Sequence, residues 1–324
     1  MTTTSPGSLA VLAALSTPTG LILASDAAHA GLHHELRREF ERRTVVRLRR
    51  GVYTLAAEWN ALGADARYLR RIHAHAAMAE APAVYSHFSA AALWGLPIVG
   101  AWPPEIHLAT TAAAGGRSRR GVIRHPQENS LDVAACQGVR VTSVAATAVA
   151  LARVLQFGQA VAVMDRAIHE PRFGHALATR ADLDRAFGEL GRVTGRAAAG
   201  RVLEFASPLS GSTGESISRA GIFTLGFLLP ELQVPHWDRE GLIGFTDFFW
   251  RSVGRVGEFD GLGKYLRDEF TGGRSTADIV IAEKIREDRL RAQGLGVFRW
   301  DWQVAASLPA LRDLLNRNGI PRAR

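Results

Sequence analysis

Three carboxylates stand close together in an apolar, strand-like stretch of the chain, FTDFFWRSVGRVGEFDGLGKY over residues 245–265. Asp247 and Glu258 lie at equal distances from a turn centred on residues 252 and 253. A hairpin with this turn therefore places the two acids directly opposite each other, with Cβ atoms about 4.5–5.5 Å apart. Asp260 follows two residues later and is expected on the same face of the strand.

Like charges at paired positions destabilise a sheet unless a cation lies between them. A divalent metal ion is the simplest such cation, and carboxylate oxygens favour Mg²⁺ or Mn²⁺. We therefore predict a metal site formed by Asp247, Glu258 and Asp260, with Glu215 on the preceding helix as a fourth carboxylate. The alternative is an acidic hairpin at a solvated sheet edge, where charges discourage pairing with other chains.

The two lysines of the chain lie within or after this acidic stretch. Lys and Arg together number 39, and only Lys264 and Lys284 are lysines, which leaves 37 arginines. A lysine can present a compact ammonium group or give up a proton, whereas an arginine can do neither. Both lysines are therefore candidate catalytic residues.

The elements around the acids are predicted in the order helix, strand, strand, strand, helix, strand. The first helix covers TGESISRAGIFTLG with Thr213 as its N-cap, and the strands cover LQVPHWD, IGFTDFFW and GRVGEFDG. The second helix covers TADIVIAEKIREDRLRAQG and ends at Gly294, and GVFRWDW forms the last strand.

The first sixty residues have the pattern of a winged helix-turn-helix. Helices are predicted over residues 7–16, 24–31 and 32–43, followed by a wing hairpin over VVRLRRGVYTL. In this interpretation the third helix enters the major groove and the wing arginines contact phosphates. The candidate DNA-binding residues are Arg37, Arg38, Arg42, Arg43, Arg47, Arg49 and Arg50. The alternative is a small helical domain with a solvated basic face.

Composition agrees with a globular, DNA-binding protein. The net charge of +8 favours a polyanionic partner, although the charge could instead be spread thinly over the surface. The single cysteine, Cys136, cannot form an intramolecular disulfide, which fits the reducing cytoplasm. The apolar N-terminal segment has no Lys or Arg before Arg37, so we do not expect a secretion signal, and we expect no membrane span.

The middle of the chain has little recognisable chemistry. A helix over SHFSAAALWGLP is predicted to begin at Ser89, and residues 105–110 and 121–126 are short strand candidates. His87, His107 and His125 could form a metal or nucleophile site with a nearby serine. Capping and packing roles are favoured, because these histidines lack helical i, i+4 spacing and have no neighbouring carboxylates.

Several of these segments resemble known families. GESISR, the aspartate of GFTDFFW, GEFDGLGKY and AEKIREDRLRAQGLGVFRWDW resemble the C-terminal module of an actinobacterial family related to Vsr-like endonucleases, within the PD-(D/E)xK nuclease superfamily. RLRRGVYTL and SHFSAAALWGLP resemble AbiEi-like type IV antitoxins, which begin with a winged helix. Together the two resemblances cover most of the chain.

The nuclease resemblance implies that Asp247 and Glu258 are metal-binding acids. The lysine that usually follows the second acid by two residues is replaced here by Asp260. Lys264 or Lys284 would then act from a shifted position. A bound Mg²⁺ or Mn²⁺ would polarise the scissile phosphate and activate water, and Lys264 would stabilise the developing charge.

We therefore predict an α+β protein with three domains. A winged helix-turn-helix covers residues 1–58, a mixed α/β middle domain 59–206, and an α/β restriction-endonuclease-like module 207–324. The first functional hypothesis is a cytoplasmic DNA-binding protein with a metal-dependent endonuclease module. The second is a non-catalytic antitoxin-like repressor with a cognate toxin as partner. A third, a protein-interaction module, leaves the basic helix unexplained.

Overall fold

The computed structural model describes residues 7–111, 118, 121–127, 132–171, 174–261 and 276–323. The chain divides into two compact units, Met1–Thr147 and Ala148–Arg324. The division into three domains with boundaries after residues 58 and 206 stays a prediction. The α+β class is confirmed, since helices and three separate β-sheets make up the described chain.

The elements of the first unit are α1 (Ser8–Ala13), β1 (Ile22–Leu23), α2 (Ala24–His29), α3 (His33–Glu41), β2 (Val45–Arg49), β3 (Val52–Leu55), α4 (Ala56–Ala61), α5 (Ala64–Ala76), β4 (Val84–Tyr85), α6 (His87–Trp94), β5 (Ile106–Thr111), β6 (Val122–Gln127), β7 (Val133–Cys136) and β8 (Val139–Thr142). The next helix, α7 (Val144–Ala152), contains the boundary between the units.

The N-terminal part of the first unit has the element order of a winged helix. β1, β3 and β2 form an antiparallel sheet in that order, and the three predicted helices and the wing hairpin are confirmed. The hairpin turns at Arg50 and Gly51, and the φ of +79° at Gly51 favours a residue without a Cβ. The core side chains are Leu12, Ile22, Ala27, Leu36 and Val45.

A five-stranded mixed sheet follows in the order β6-β5-β4-β8-β7. β5 pairs with β6 and β4 with β8 in parallel, whereas the pairs β4–β5 and β7–β8 are antiparallel. The strands predicted over 105–110 and 121–126 are confirmed. α5 and α6 supply Tyr68, Ile72 and Leu93 to the core of this sheet.

The prediction that Ser89 begins α6 is wrong. The helix begins at His87, after Ser86 in an extended conformation, and it ends at Trp94 with Gly95 as its C-cap, before Pro97 as predicted. Ser89 is buried inside the helix, where its hydroxyl lies 3.0 Å from the Tyr68 hydroxyl and accepts from the backbone N–H of His107. Ser89 therefore packs α6 against the sheet instead of capping the helix.

The elements of the second unit are α8 (Phe157–Ile168), α9 (Arg180–Gly188), α10 (Arg196–Phe205), α11 (Thr213–Thr224), β9 (Glu231–Asp238), β10 (Gly241–Trp250), β11 (Arg255–Phe259), α12 (Thr276–Ala292), β12 (Gly296–Trp300), α13 (Trp302–Ala305) and α14 (Leu308–Arg317). From α11 to β12, the predicted order of helix, three strands, helix and strand is confirmed.

The second unit contains a four-stranded sheet in the order β12-β11-β10-β9. β9, β10 and β11 are antiparallel neighbours, and β11 pairs with β12 in parallel, as the crossover through α12 requires. One face of the sheet carries a core rich in aromatic side chains, against which α11 and α14 pack. Its largest members are Phe248, Trp250, Phe259, Phe298 and Trp300.

A buried ion pair fastens α11 to α8. The Arg219 guanidinium donates to both carboxylate oxygens of Asp165, at 3.0 and 2.9 Å, and to the carbonyl of Phe205 at 2.7 Å. Asp165 also accepts from the backbone N–H of Ser207 at 2.8 Å. Because both charged side chains are buried, each depends on the other for its compensation.

Within the described residues, no helix is both long enough and apolar enough to cross a membrane.

Replacing Asp165 by Ala should lower the free energy of unfolding by about 3–5 kcal/mol, because Arg219 is left buried without its partner. Chemical unfolding of the full chain measures the loss. The control is Asp184→Ala, which removes an exposed i, i+4 pair with Arg180 and should cost no more than about 0.5 kcal/mol. Equal losses in the two variants would contradict the assignment.

Candidate active site and nucleic-acid interface

Asp247 on β10 and Glu258 on β11 lie side by side. The hairpin has the predicted register, with Phe248, Phe249 and Trp250 of β10 opposite residues 257, 256 and 255 of β11. At the next position the backbone N–H of Phe259 donates to Asp247 Oδ2 at 2.9 Å. The exposed fractions are only 8% for Asp247 and 6% for Glu258. Burial, and then the charge of Asp247, raise the pKa of Glu258 to about 7.

Glu215 is linked to this pair by Gln233, a residue that the sequence analysis did not single out. Gln233 Nε2 lies 3.4 Å from both Glu215 Oε2 and Asp247 Oδ1, so one amide bridges the two carboxylates. Glu215 also accepts from the Gly211 N–H and the Ser212 hydroxyl, each at 2.8 Å. Glu215 therefore contributes to the start of α11 as well as to the acidic site.

The first turn of α11 is held against the end of β11. The prediction of Thr213 as N-cap is wrong, because the preceding Ser212 has the extended backbone of a cap and accepts from the Glu215 N–H. A Cβ at Gly214 would lie 2.0 Å from the Phe259 ring, so only glycine permits this close approach. The contact brings Glu215 and Glu258, the neighbours of these two residues, to the same end of the sheet.

The cation beside Glu258 in this structure is an arginine. Arg286 on α12 donates from Nη2 to Glu258 Oε1 at 2.9 Å and to the Phe245 carbonyl at 2.6 Å. Its Nη1 donates to Glu283 Oε1 at 3.0 Å. Arg286 thus supplies positive charge where the sequence predicted a metal ion or a lysine.

Asp260 is bound by a second arginine. It lies just beyond β11, and its Oδ1 accepts from Arg299 Nη1 at 3.2 Å. Arg299 also pairs with Glu283 and Glu287 of α12. The structure thus brings Asp247, Glu258 and Glu215 together and links Asp260 to them through the arginines of α12 and β12.

The structure describes only one of the two candidate catalytic lysines. Lys264 lies outside the described residues. Lys284 is exposed on α12, and Arg286 reaches the acids from that helix. Positions two apart on an α-helix differ by about 200° in direction, so these two side chains cannot face the sheet together. The buried Leu290, four residues after Arg286, marks the same inward face and is a sequence signal for it.

The predicted DNA-binding arginines differ in how they are paired. Three form ion pairs with glutamates of α3, namely Arg37–Glu41 at 3.0 Å, Arg38–Glu35 at 3.6 Å and Arg42–Glu39 at 3.2 Å. Glu39 is buried, and hydrogen bonds from Ser8 and Thr44 lower its pKa. Within α3 itself the two arginines are outnumbered by the three glutamates, so the helix carries no net positive charge.

The remaining arginines lie at the end of α3 and along the wing. Arg49 donates to the His75 carbonyl at 3.3 Å, so its side chain is engaged within the unit. Arg47 lies 5.3 Å from the centre of the Phe40 ring. Arg43, Arg47 and Arg50 are exposed, and no carboxylate of the described chain forms an ion pair with them. Among the seven predicted DNA-binding arginines, these three therefore combine exposure with the lack of an ion pair to a described carboxylate.

Three histidines of the middle sheet, distant in sequence, also come together. His107 Nδ1 lies 3.0 Å from His125 Nε2, and His87 stacks on His125 with ring centres 3.7 Å apart. Burial lowers the pKa of His107 to about 4, which keeps that ring neutral at pH 7. The pairing of β5 with β6 creates this cluster, which sequence spacing did not reveal.

Comparisons with known proteins leave the family open. No family model matches the chain. Over 125 residues it is 31% identical to the Mycobacterium tuberculosis proteins named "Uncharacterized protein MT2308" and "Uncharacterized protein Rv2248", from strains CDC 1551 and H37Rv. The match covers 39% of this chain and 44% of each relative, so less than half of their length is spanned. The crystal structure of RV2827C protein from Mycobacterium tuberculosis aligns with 72% of this chain and 90% of that one, at 17% identity and a TM-score of 0.40.

Replacing Asp247 by Asn should lower the pKa of Glu258 from about 7 towards its ordinary value, because a neighbouring negative charge is removed. Titration of the Glu258 carboxyl carbon by NMR in metal-free protein measures the shift. Because the pKa of Glu258 is raised on folding, the free energy of unfolding should fall as pH rises from the ordinary pKa of a glutamate to about 7. Asp247→Asn should make this fall smaller.

Asp238 is the matched control, since it lies at the far end of β9 and pairs with Arg289. Asp238→Asn should leave the Glu258 titration unchanged. An unchanged Glu258 titration in Asp247→Asn would show that the two carboxylates do not interact.

Proposed function

We propose that this chain is a cytoplasmic DNA-binding protein with a metal-dependent endonuclease module in its second unit. The observation that carries the proposal is the buried Asp247–Glu258 pair on the β10–β11 hairpin, with Glu215 at the same end of the sheet. Two adjacent buried carboxylates cost folding energy, and a cation-dependent reaction is a physical reason for a chain to contain them. The resemblance to Vsr-like endonucleases at these residues supports the same function.

The donor atoms suit Mg²⁺ or Mn²⁺. Asp247 and Glu258 offer hard carboxylate oxygens, and the Gln233 amide nitrogen donates a hydrogen bond to Asp247 beside them. In the part of the chain that the structure describes, no group of three or more His, Cys, Asp or Glu side chains could hold a metal ion by itself. Mg²⁺ commonly binds through one or two carboxylates and completes its shell with water and substrate phosphate, so two acids suffice.

Each residue of the site would have its own role in metal binding and phosphodiester hydrolysis. Asp247 and Glu258 would bind the ion, and the Phe259 N–H would hold the Asp247 carboxylate in place. The bound ion would polarise the scissile phosphate and lower the pKa of the attacking water. Asp260 and Lys264 keep their predicted roles at the metal and at the developing charge as proposals.

DNA binding is proposed for the winged helix of the first unit. The exposed Arg43, Arg47 and Arg50 would contact phosphates, while α3 would lie in the major groove. Such contacts release counterions and make binding depend strongly on salt. The AbiEi-like resemblance of this part of the chain is consistent with DNA as the partner.

A specific observation also favours a second function, that of a non-catalytic repressor. Arg286 already neutralises Glu258, and Arg299 already neutralises Asp260, the residue that stands in place of the usual lysine. Acids that are satisfied by protein cations are compatible with a nuclease fold that serves only as a scaffold. A cognate toxin would be the further partner of such an antitoxin-like protein.

Replacing Arg43, Arg47 and Arg50 together by Ala should weaken binding to duplex DNA of any sequence. The slope of log K against log salt should fall in magnitude by about 2–3, because up to three phosphate contacts are lost. Fluorescence anisotropy at several salt concentrations measures both effects. The charge-matched control replaces Arg180, Arg185 and Arg201, which are exposed on α9 and α10 of the second unit. Equal losses in both triple variants would argue against a winged-helix interface.

Wild-type protein should nick or cut DNA with Mg²⁺ or Mn²⁺ and be inactive in chelator. Asp247→Ala and Glu258→Ala should each abolish cleavage while DNA binding persists, because the winged helix is unchanged. Lys264→Arg should be nearly as damaging as Lys264→Ala if the ammonium group takes part directly. Tight DNA binding without metal-stimulated cleavage of duplex, single-stranded or mismatched DNA would contradict the endonuclease function and favour the non-catalytic repressor.

A further inference from the structure

Arg286 is a mostly buried arginine that none of the proposed catalytic steps uses. Its side chain is 19% exposed, and its guanidinium is shared between Glu258, Glu283 and the Phe245 carbonyl. The arginine belongs to α12, whereas Phe245 and Glu258 belong to two different strands. Arg286 therefore fixes the helix to the sheet at the acidic site.

The sheet is shaped to let this guanidinium reach the acids. Gly244 has a φ of +147°, at an irregularity of β10 where the pairing with β9 shifts between Leu242 and Gly244. A Cβ at position 244 would lie 3.0 Å from Arg286 Nε. The contact is thus built from a glycine, a bulge and a helix face together, and differs from a surface side chain that happens to reach an acid.

Arg286 and a divalent cation need the same carboxylate. The guanidinium occupies Glu258 Oε1 at hydrogen-bond distance, and a metal ion bound by Glu258 would lie within a few ångströms of it. Two cations at such a distance repel strongly in a partly buried site. The two therefore cannot share Glu258 without loss of binding energy.

We propose that Arg286 is the resident counter-ion of the Asp247–Glu258 pair and that divalent cations bind in competition with it. The inference rests on the proposed function, because it concerns the same acids. Arg286 stabilises the metal-free fold and weakens the affinity for metal, so the site loads a cation only when Arg286 releases Glu258. The arginine thus regulates metal loading.

The test is calorimetric titration of the metal-free full chain with Mn²⁺ in the absence of DNA. Arg286→Met should bind Mn²⁺ on the order of tenfold more tightly than wild type, since a competing positive charge is removed. Arg286→Lys keeps the charge and should bind with nearly wild-type affinity. Asp247→Ala should bind less tightly than wild type. A residue with a purely structural role would change thermal stability without raising the affinity for Mn²⁺.

Arg289→Met is the matched control, because Arg289 lies three residues further along α12 and pairs with Asp238 instead of the acid pair. It should leave the affinity for Mn²⁺ unchanged. If circular dichroism shows that Arg286→Met does not fold, Arg286→Gln replaces it, since glutamine removes the charge but can still donate to the Phe245 carbonyl.

The outcomes separate this inference from the proposed function. Tighter Mn²⁺ binding by Arg286→Met than by Arg289→Met supports it, whereas equal affinities overturn it and leave cleavage by the wild type as a separate question. If wild type binds no Mn²⁺ but Arg286→Met does, the result supports Arg286 as the competing counter-ion and argues against a metal-dependent endonuclease. If neither binds Mn²⁺, both proposals fall.

Discussion

Two buried carboxylates side by side are the constraint around which the second unit is arranged. Neither Asp247 nor Glu258 can move into water, because both belong to strands that are paired on either side. Their repulsion must be reduced by a proton, by a metal ion or by a basic side chain. The structure contains the third solution in Arg286, while burial, and then the charge of Asp247, still hold the pKa of Glu258 at about 7. A ligand that binds at this site therefore meets two carboxylates whose charge Arg286 already compensates in part.

The position of the acids depends on close packing around them. The Asp165–Arg219 pair fastens α11 to α8, and the absence of a side chain at Gly214 lets α11 approach Phe259. Glu215 is therefore held at the same end of the sheet as the hairpin acids, where Gln233 bridges it to Asp247. Packing and electrostatics here act on the same few residues.

Arginine has two uses in this chain, and net charge does not distinguish them. On α3, in α12 and on β12, arginines pair with glutamates of the same unit. On the wing and after α3, Arg43, Arg47 and Arg50 are exposed and form no ion pair with a described carboxylate. A charge of +8 therefore indicates a polyanionic partner but does not identify the residues that would contact it.

The sequence by itself determined the winged helix, the order of elements from α11 to β12 and the register of the β10–β11 hairpin. These follow from local periodicity, turn residues and equal spacing about a turn, which act over a few residues. Only the tertiary structure decided that Arg286 and not Lys284 reaches Glu258, that Gln233 bridges two acids, and that His87, His107 and His125 meet. Each of these depends on which face of a helix packs or on pairing between distant strands, and such contacts leave no spacing pattern along the chain.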